Sequence, residues 1–594
     1  MTRSLLRFIP LSALVLALAA FQLARAHEGF ARSAKCKALP SDASWPATKV
    51  WDSFNSSVNG RLIRTVPIGT PCHGSHFNQT ECASIQNNWH ETSLHLSSSS
   101  SMMTPLFANK SCDLFTASNA QCVIGTYVQY AVNVSEVDDI RKTLNFSRTH
   151  NIRFVVRNTG HDYMGKSTGT GGLSVWTRHL QETQWIPKYS SSFYTGPAIK
   201  AQAGVSMEQM YKIADENGHV IIGGDCSSVG YTGGYIQGGG HSMLSSFLGL
   251  AADSALEYEV VTTTGKFVVA SPIQNSDLYW ALSGGGGGSY GIVWSVTVKA
   301  YPNFPVVIAN VSFTSANISQ DLFWQAIASY QAITPALADA GAYAMAGYYG
   351  PASFGLAPVF VPNATIEQVQ NLIKPFLSNL TAFGINHTFS ISSHPTFQIA
   401  FDSVPGYVDL TVGIFNFGGR ILPRSLWGDP GIFNRTMAVL RGIADNGGTL
   451  MDITLSPSIK INSAPPNAVL PAWRTAQKFL ITLLAWNDTA TAAEIKATQN
   501  RVTNVIDQPL RDLAPDSGTY LNEADPNEPN WQQSFYGANY QRLLSIKDRW
   551  DPEGMLFGRT AVGGDRWFED ADGRLCRVLG RISLISQTID NSLV

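Results

Sequence analysis

The chain has 594 residues, 44% of them apolar and 14% charged, a composition that packs a large core and excludes a disordered polymer. Its length suffices for roughly three or four domain-sized units. A formal charge of -2, with no stripe of Lys and Arg, excludes a nucleic-acid surface and favours small-molecule chemistry.

The N-terminus reads as a cleaved signal peptide. Arg3 and Arg7 precede an uncharged run from Phe8 to Ala24, and Ala24-Arg25-Ala26 has small residues where signal peptidase needs them. The run is short of the ~20 apolar residues that span a bilayer, which disfavours a membrane anchor. Asn-x-Ser/Thr sequons at Asn55, Asn78, Asn109, Asn133, Asn145, Asn310, Asn317, Asn363, Asn379, Asn386, Asn434 and Asn487 fit a secreted, N-glycosylated surface. The cysteines are Cys36, Cys72, Cys82, Cys112, Cys122, Cys226 and Cys576, so pairing in an oxidising compartment leaves one over. Those from Cys36 to Cys122 lie in a Ser/Asn/Thr-rich stretch of little periodicity, where disulfides are expected to staple a loop-rich extension, with Cys112 and Cys122 as the local pair. Cys226, inside a glycine-rich run far from the others, is the natural odd one out.

From Cys122 the pattern becomes regular. Ser135 with Asp138 is expected to cap a helix bearing Val137, Ile140 and Leu144, followed by a strand from Ile152 to Val156. Ser206 and Gln209 form a capping box, Met207, Met210, Tyr211 and Ala214 share a face, Gly218 stops the helix, and Val220 to Ile222 form the next strand. This alternation predicts helices packed on a sheet. Three glycine-dense loops, Gly160 to Gly172, Gly223 to Gly240 and Gly284 to Gly291, are tight turns or places where backbone approaches a ligand, and their density favours the ligand. Beyond Pro302 a mixed segment runs to about Tyr520, with strand-like stretches at Ala342 to Tyr349 and Val408 to Phe415 and helical ones at Leu322 to Ile333 and Ile366 to Leu377, a second, sheet-based lobe. Near the end Tyr536, Tyr540, Leu543 and Leu544 share a helical face that Asp551-Pro552 terminates.

Gly160-His-Asp-Tyr-Met-Gly165-Lys166-Ser167 matches G-x-x-x-x-G-K-[ST], the loop that wraps nucleotide phosphates. That loop needs a helix starting at Lys-Ser, whereas Thr168-Gly-Thr-Gly-Gly172 is a poor helix start, and an exported protein meets little nucleoside triphosphate.

With its left flank the stretch is Arg157-Asn158-Thr159-Gly160-His161-Asp162-Tyr163. Gly224-Asp225-Cys226-Ser227-Ser228-Val229-Gly230 follows, then Gly238-Gly239-Gly240, Asp277 to Leu282 before Gly284 to Gly288, and Tyr536-Gly537-x-Asn539-Tyr540 with Lys547 and Asp551-Pro552. In this order the motifs resemble the vanillyl-alcohol oxidase superfamily with a PCMH-type FAD domain, and within it the berberine-bridge-like oxidases. The resemblance covers about Cys122 to Trp567 and implies an α+β, two-lobed FAD-binding PCMH-type fold of α/β subdomains with an antiparallel-sheet substrate lobe. It divides the chain into a signal peptide (1–26), a disulfide-stapled extension (27–118), the FAD-binding domain (119–302), the substrate lobe (303–520) and a berberine-bridge-like segment (521–594) that returns to the FAD lobe.

The cofactor implied is FAD, covalent at His161 through the flavin 8α carbon and at Cys226 through C6. Arg157, Asn158, Thr159, Gly160, Gly165, Gly230, Gly233, Gly234, Gly240 and His241 complete the binding set, and no metal site is expected. Backbone N–H groups of glycine turns neutralise a pyrophosphate without a basic patch, which suits the near-neutral charge. A thiolate among backbone amides is placed to attack carbon. The bland alternatives are a turn histidine at His161, a buried thiol or a partner for Cys576 at Cys226, and a turn cap at His241.

The resemblance further implies oxidation of a small molecule, an alcohol, carbohydrate or secondary metabolite, with dioxygen as acceptor. A base near the flavin must take the substrate proton, and Tyr520-Leu521-Asn522-Glu523 is the candidate. Many relatives have Tyr directly after that asparagine, where this chain has Glu523, either the base itself or a solvated carboxylate. Gly230-Tyr231-Thr232-Gly233 is one residue longer than the berberine-bridge pattern, which keeps a dehydrogenase in play. A secreted flavin-binding protein with little catalysis is the remaining alternative.

Overall fold

A computed structural model describes residues 35–349, 352–404, 412–457 and 465–578, so the signal peptide expected at 1–26 lies outside the described residues. The chain builds three main sheets. The first is mostly parallel and begins with a strand from the N-terminal extension. β1 (Leu62–Arg64) pairs antiparallel with β2 (Tyr130–Asn133), while β2 and β3 (Arg153–Arg157) flank β4 (Gly172–Trp176) in parallel. β4 is buried along its whole length, as a strand covered on both faces must be. Helix α1 (Val137–Thr149) links β2 to β3 and packs Ile140 and Leu144 on Phe154 and Val175.

The cap of α1 is not Ser135 with Asp138 but a box of Glu136 and Asp139. Asp139 is fully buried, held by Arg61 of the extension, and accepts the Ser135 and Glu136 backbone N–H groups at 2.9 and 3.1 Å. The distant Arg61 decides which carboxylate turns inward, and local sequence does not record it.

The second sheet is antiparallel. It comprises β5 (Thr183–Ser190), β6 (Thr195–Gln202), β7 (Ala255–Val261), β8 (Phe267–Ala270) and β9 (Ile292–Lys299) in the order β8-β7-β9-β6-β5. Helix α2 (Met207–Glu216) carries the expected capping box, Ser206 with Gln209, and buries the expected face, and Gly218 follows it at φ +68°. The strand expected at Val220 to Ile222 is shorter: only His219–Val220 pairs, with Tyr301–Pro302. Ile221 and Ile222 are fully buried but enter the glycine loop, so core burial, not ladder pairing, explains their apolar character.

The third sheet forms the second lobe. Its seven antiparallel strands are β10 (Val306–Thr314), β11 (Tyr343–Tyr349), β12 (Ser353–Pro362), β13 (His387–His394), β14 (Phe415–Pro423), β15 (Thr449–Thr454) and β16 (Ala476–Ala485), ordered β13-β10-β12-β11-β15-β16-β14. Of the strand expected at Val408 to Phe415, residues 408–411 lie outside the described residues, and β14 begins at Phe415. Helices α3 (Gln320–Asp339) and α4 (Ile366–Ala382) extend beyond the stretches expected from sequence and cover one face, packing Phe323, Ile327, Tyr330, Ile373 and Phe376 against Val307 and Val359. The period-2 alternation sends Ile308, Tyr343, Phe417 and Phe479 to the other face, in one cluster with the glycine loops of the first lobe. That second face is what positions a site between the lobes.

The C-terminal segment returns to the first lobe. Tyr536 ends a separate short helix, Trp531–Tyr536, and Gly537 at φ +55° divides it from α5 (Tyr540–Trp550), so the expected single face is split between two helices. Lys35–Cys36 pairs with Leu575–Arg577, which pairs with Trp567–Glu569, and Cys36–Cys576 locks the register across a sequence separation of 540. Removing it with a Cys36→Ser, Cys576→Ser double variant is expected to cost about 2–5 kcal/mol. Thermal unfolding checks this, and an unchanged Tm would mean that strand pairing and the Arg574–Asp42 ion pair hold the ends without it.

Candidate active site

Three glycine loops and the start of the C-terminal segment meet where the second lobe faces the first. The first loop leaves β3 at Arg157, which is fully buried. One guanidinium nitrogen, Nη2, donates to Ser98 O of the extension at 3.2 Å, and burial pulls the pKa down to about 10. Gly160 turns directly over this group at φ +91°, and a Cβ there would sit 2.5 Å from Nη2, so only glycine permits the turn. Thr159 is buried beside it, and Gly165 packs on the Phe107 ring.

Asp162 closes the loop, accepting Met164 N at 3.0 Å, Ser167 N at 2.6 Å and Ser167 Oγ at 2.8 Å. No helix starts at Ser167, and the next element is strand β4. With Ser167 N and Oγ taken by Asp162 and no helix starting at Lys166-Ser167 to point its N-terminus at phosphate, the nucleotide-triphosphate reading fails.

The second loop carries Cys226. Its turn is pinned to the first turn of α2, where Met207 N donates to Val229 O at 2.9 Å and Glu208 N to Ser227 O at 3.0 Å. His161 Nε2 lies 2.8 Å from Ser228 Oγ, and Cys226 Sγ lies 3.7 Å from the same hydroxyl. The structure thereby brings His161 and Cys226 to one point. Cys36–Cys576, Cys72–Cys82 and Cys112–Cys122 are bridged, the last being the expected local pair, and Cys226 takes part in none of the disulfides among the described residues. A Cys226–Cys576 bridge is thereby ruled out.

After Gly230 the chain turns over Tyr231–Tyr235 and is kinked at Gly233, whose backbone is non-helical at φ -76° and ψ -139°. Gly230 packs so closely on Asn158 that a Cβ would lie 2.5 Å from Nδ2, and Gly233 abuts the same amide. Gly234 offers its carbonyl to Asn522 Nδ2 at 2.8 Å, joining this loop to the C-terminal segment. Asn522 Nδ2 also donates to Tyr520 OH at 2.9 Å, and Gly240 contributes a backbone hydrogen bond to that hydroxyl.

His241 follows Gly240 and is not a turn cap: its Nε2 lies 3.0 Å from Glu523 Oε2. Its ring contacts Tyr520, Phe479 and Trp473, with centroids 5.3, 5.5 and 6.3 Å away. Burial alone would lower the His241 pKa, but Glu523 and then Asp225 lift it above the usual histidine value. Glu523 is therefore not a merely solvated carboxylate; its side chain is 25% exposed and paired.

Asp225 is pushed up to about 6 by burial, against the opposing pull of His241 and of the Tyr343 hydroxyl, which donates to Oδ2 at 3.1 Å. Tyr163 stacks edge-on to Phe417 at 4.5 Å, and burial, then the negative charges of Glu523 and Cys226, raise its pKa well above the usual range. These contacts link His161, Cys226, Asn158, Gly230, Gly233, Gly234, Gly240, His241, Tyr520, Asn522 and Glu523, whereas Arg157, Gly160 and Gly165 pack behind them.

Sequence reasoning missed Ser228, Asp225, Tyr163, Tyr343 and the aromatic wall of Trp473 and Phe479. Ser228 and Asp225 stand inside a motif already singled out, where a polar residue beside a reactive cysteine was the available signal. Tyr343 and Phe479 come from remote strands and carry none.

The surface suits a flavin dinucleotide. It is built of bare glycine backbone and neutral amides, with the buried acceptors Asn158 Oδ1 and Gln237 Oε1 and the buried nitrogen His241 Nδ1 lacking protein partners among the described residues. Such mixed donors and acceptors match the alternating edge of a flavin ring.

Residues 128–271 match the family model described as FAD binding domain, and residues 519–557 match the one described as berberine and berberine like. The first span contains Arg157 to His241 and the second contains Tyr520, Asn522, Glu523 and Lys547. The chain is 43% identical over 568 residues to the FAD-linked oxidoreductase patO of Aspergillus clavatus, covering 95% of this chain and 98% of that protein. It is 38% identical over 587 residues to the VAO-type flavoprotein oxidase VAO615 of Thermothelomyces thermophilus, covering 97% of this chain and 100% of that one. The crystal structure of the VAO-type flavoprotein MtVAO615 from Myceliophthora thermophila C1 superposes with a TM-score of 0.87 at 36% identity, over 91% of this chain and 100% of the other.

Proposed function

Because the chain belongs to the VAO-type FAD-linked oxidoreductases with a berberine-bridge-like C-terminal segment, we propose that this FAD-dependent enzyme is a secreted oxidase. Its substrate is an alcohol, a carbohydrate or a secondary metabolite, and its electrons pass to dioxygen to give hydrogen peroxide. The observation that carries the reading is the meeting of His161 and Cys226 at one hydroxyl, in the same region as the His241–Glu523 pair. Disulfides among the described residues support an oxidising compartment, and the sequons are read as N-glycan sites.

When bound, FAD supplies a two-electron acceptor that takes hydride from the substrate carbon. His161 and Cys226 tether it, while Asn158, Thr159, Gly230, Gly233, Gly234 and Gly240 present the surface it lies against, and Arg157, Gly160 and Gly165 fix that surface from behind. Glu523 accepts the substrate hydroxyl proton at its carboxylate. His241 holds that carboxylate in place through the 3.0 Å contact of Nε2 with Oε2, and the carboxylate in turn lifts the His241 pKa above the usual histidine value. Tyr520 and Asn522 position the segment, since their polar atoms are committed to each other and to Gly234 and Gly240. Trp473, Phe479 and Tyr163 exclude water from the reacting atoms. The kink at Gly233, in a Gly230–Gly233 segment one residue longer than the berberine-bridge pattern, supports the second reading, a dehydrogenase using another acceptor.

The first test is a peptide map of acid-precipitated protein. Flavin is expected on the peptides containing His161 and Cys226; His161→Ala keeps only the second adduct, Cys226→Ala only the first, and the double variant neither. Release of all colour into the acid supernatant of the wild-type protein would overturn the tethering. Mixing reduced protein with air then separates the acceptors: return of the yellow colour at the turnover rate marks an oxidase, and slow return a dehydrogenase.

A further inference from the structure

The His161 and Cys226 side chains come from different loops, yet one hydroxyl touches both. Ser228 is 9% exposed and sits in the Cys226–Val229 turn, whose backbone is fixed by Met207 N on Val229 O and Glu208 N on Ser227 O. With that backbone fixed on α2, Ser228 Oγ lies between the imidazole at 2.8 Å and the thiol at 3.7 Å. A hydroxyl both donates and accepts, so it can take a proton on one side while giving one on the other.

We infer that Ser228 is the positioning residue that makes the double attachment possible, holding the rotation of the His161 ring and relaying the proton that Cys226 must lose. The inference rests on the covalent reading above. Each tether replaces one hydrogen on protein nitrogen or sulfur and one on flavin carbon with a single bond. The two hydrogens leave as two protons and two electrons, and the electrons go to dioxygen, which becomes hydrogen peroxide. The Cys226 proton passes through Ser228 Oγ to His161 Nε2 and then to solvent, which leaves the thiolate, the form of sulfur that attacks carbon. Without the hydroxyl, the thiol keeps its proton in a buried site, where burial opposes the thiolate.

Ser228→Thr and Ser228→Val test this, because they match in shape and differ in the hydroxyl. Wild type and both variants are purified as holoprotein, their Tm values are compared, and flavin at positions 161 and 226 is quantified by peptide mapping and by fluorescence in denaturing gels. The Thr variant is expected to keep the wild-type fraction at both positions. In the Val variant the fraction carrying flavin at Cys226 should fall to about a tenth or less at a Tm matching that of the Thr variant, the scale of a lost proton-transfer group. Equal adducts in the Thr and Val variants overturn the role of Ser228 while leaving the tethering intact. A wild-type protein without the Cys226 adduct overturns the tethering itself.

Discussion

Glu523→Gln is expected to slow anaerobic bleaching of the bound flavin on the order of 10²- to 10⁴-fold, with substrate affinity nearly unchanged. Glutamine keeps the size and one acceptor oxygen but cannot take a proton, so the loss falls on the chemical step, about 3–5 kcal/mol of barrier. The measurement is a stopped-flow trace with the first compound, from a panel of alcohols and sugars, that bleaches the wild-type flavin. His241→Gln should give a smaller loss, because it removes the group that holds the carboxylate at 3.0 Å and not the base. If Glu523→Gln bleaches within about threefold of wild type, a change too small for loss of the base, the proton goes elsewhere.

Lys547→Met is expected to destabilise the fold by about 3–5 kcal/mol, because it strands a buried carboxylate. The Lys547 ammonium donates to Ser289 O at 2.9 Å, to Leu556 O at 2.8 Å and to Asp551 Oδ2 at 2.9 Å. Asp551 in turn accepts Met555 N and Leu556 N, each at 2.9 Å. Ser289 belongs to the third glycine loop, so this one cluster ties the C-terminal segment to the cofactor lobe. Its side chains are 5% and 0% exposed, which removes the solvent screening that makes surface pairs weak. Denaturant unfolding checks the size of the effect. The double variant Lys547→Met, Asp551→Leu should lose less than Lys547→Met alone, since no buried charge is then left without its partner. Equal losses would mean that the backbone hydrogen bonds, and not the charge pair, supply the stability.

Much of the fold was legible where local rules and tertiary packing agree. The capping box at Ser206 and Gln209, the stop at Gly218 and the helix beginning at Ile366 appear as expected, because each depends on residues within a few positions. Where they disagree, a remote group is responsible. Arg61 selects Asp139 over Asp138 for the cap of α1, and the extension lends β1 to a sheet whose other strands begin 66 residues after its last residue, at Tyr130. Ile221 and Ile222 read as strand because burial and pairing give the same apolar signal over so short a run. The disulfide Cys36–Cys576 was out of reach, since no spacing rule relates residues at opposite ends of a chain.

For the site the division is sharper. In the sequence, the order of the glycine-rich motifs implied the cofactor class and the two attachment candidates, His161 and Cys226, through resemblance to a flavoprotein family, because such motifs stay recognisable in a short window where glycine permits backbone approach and turns that no other residue tolerates. Only the tertiary structure decided that His161 and Cys226 share Ser228, that Glu523 is paired with His241, and that Tyr343, Phe417 and Phe479 close the second wall. Those contacts join segments tens to hundreds of residues apart, and hydrogen bonds and ring packing act over a few ångströms of space regardless of separation along the chain.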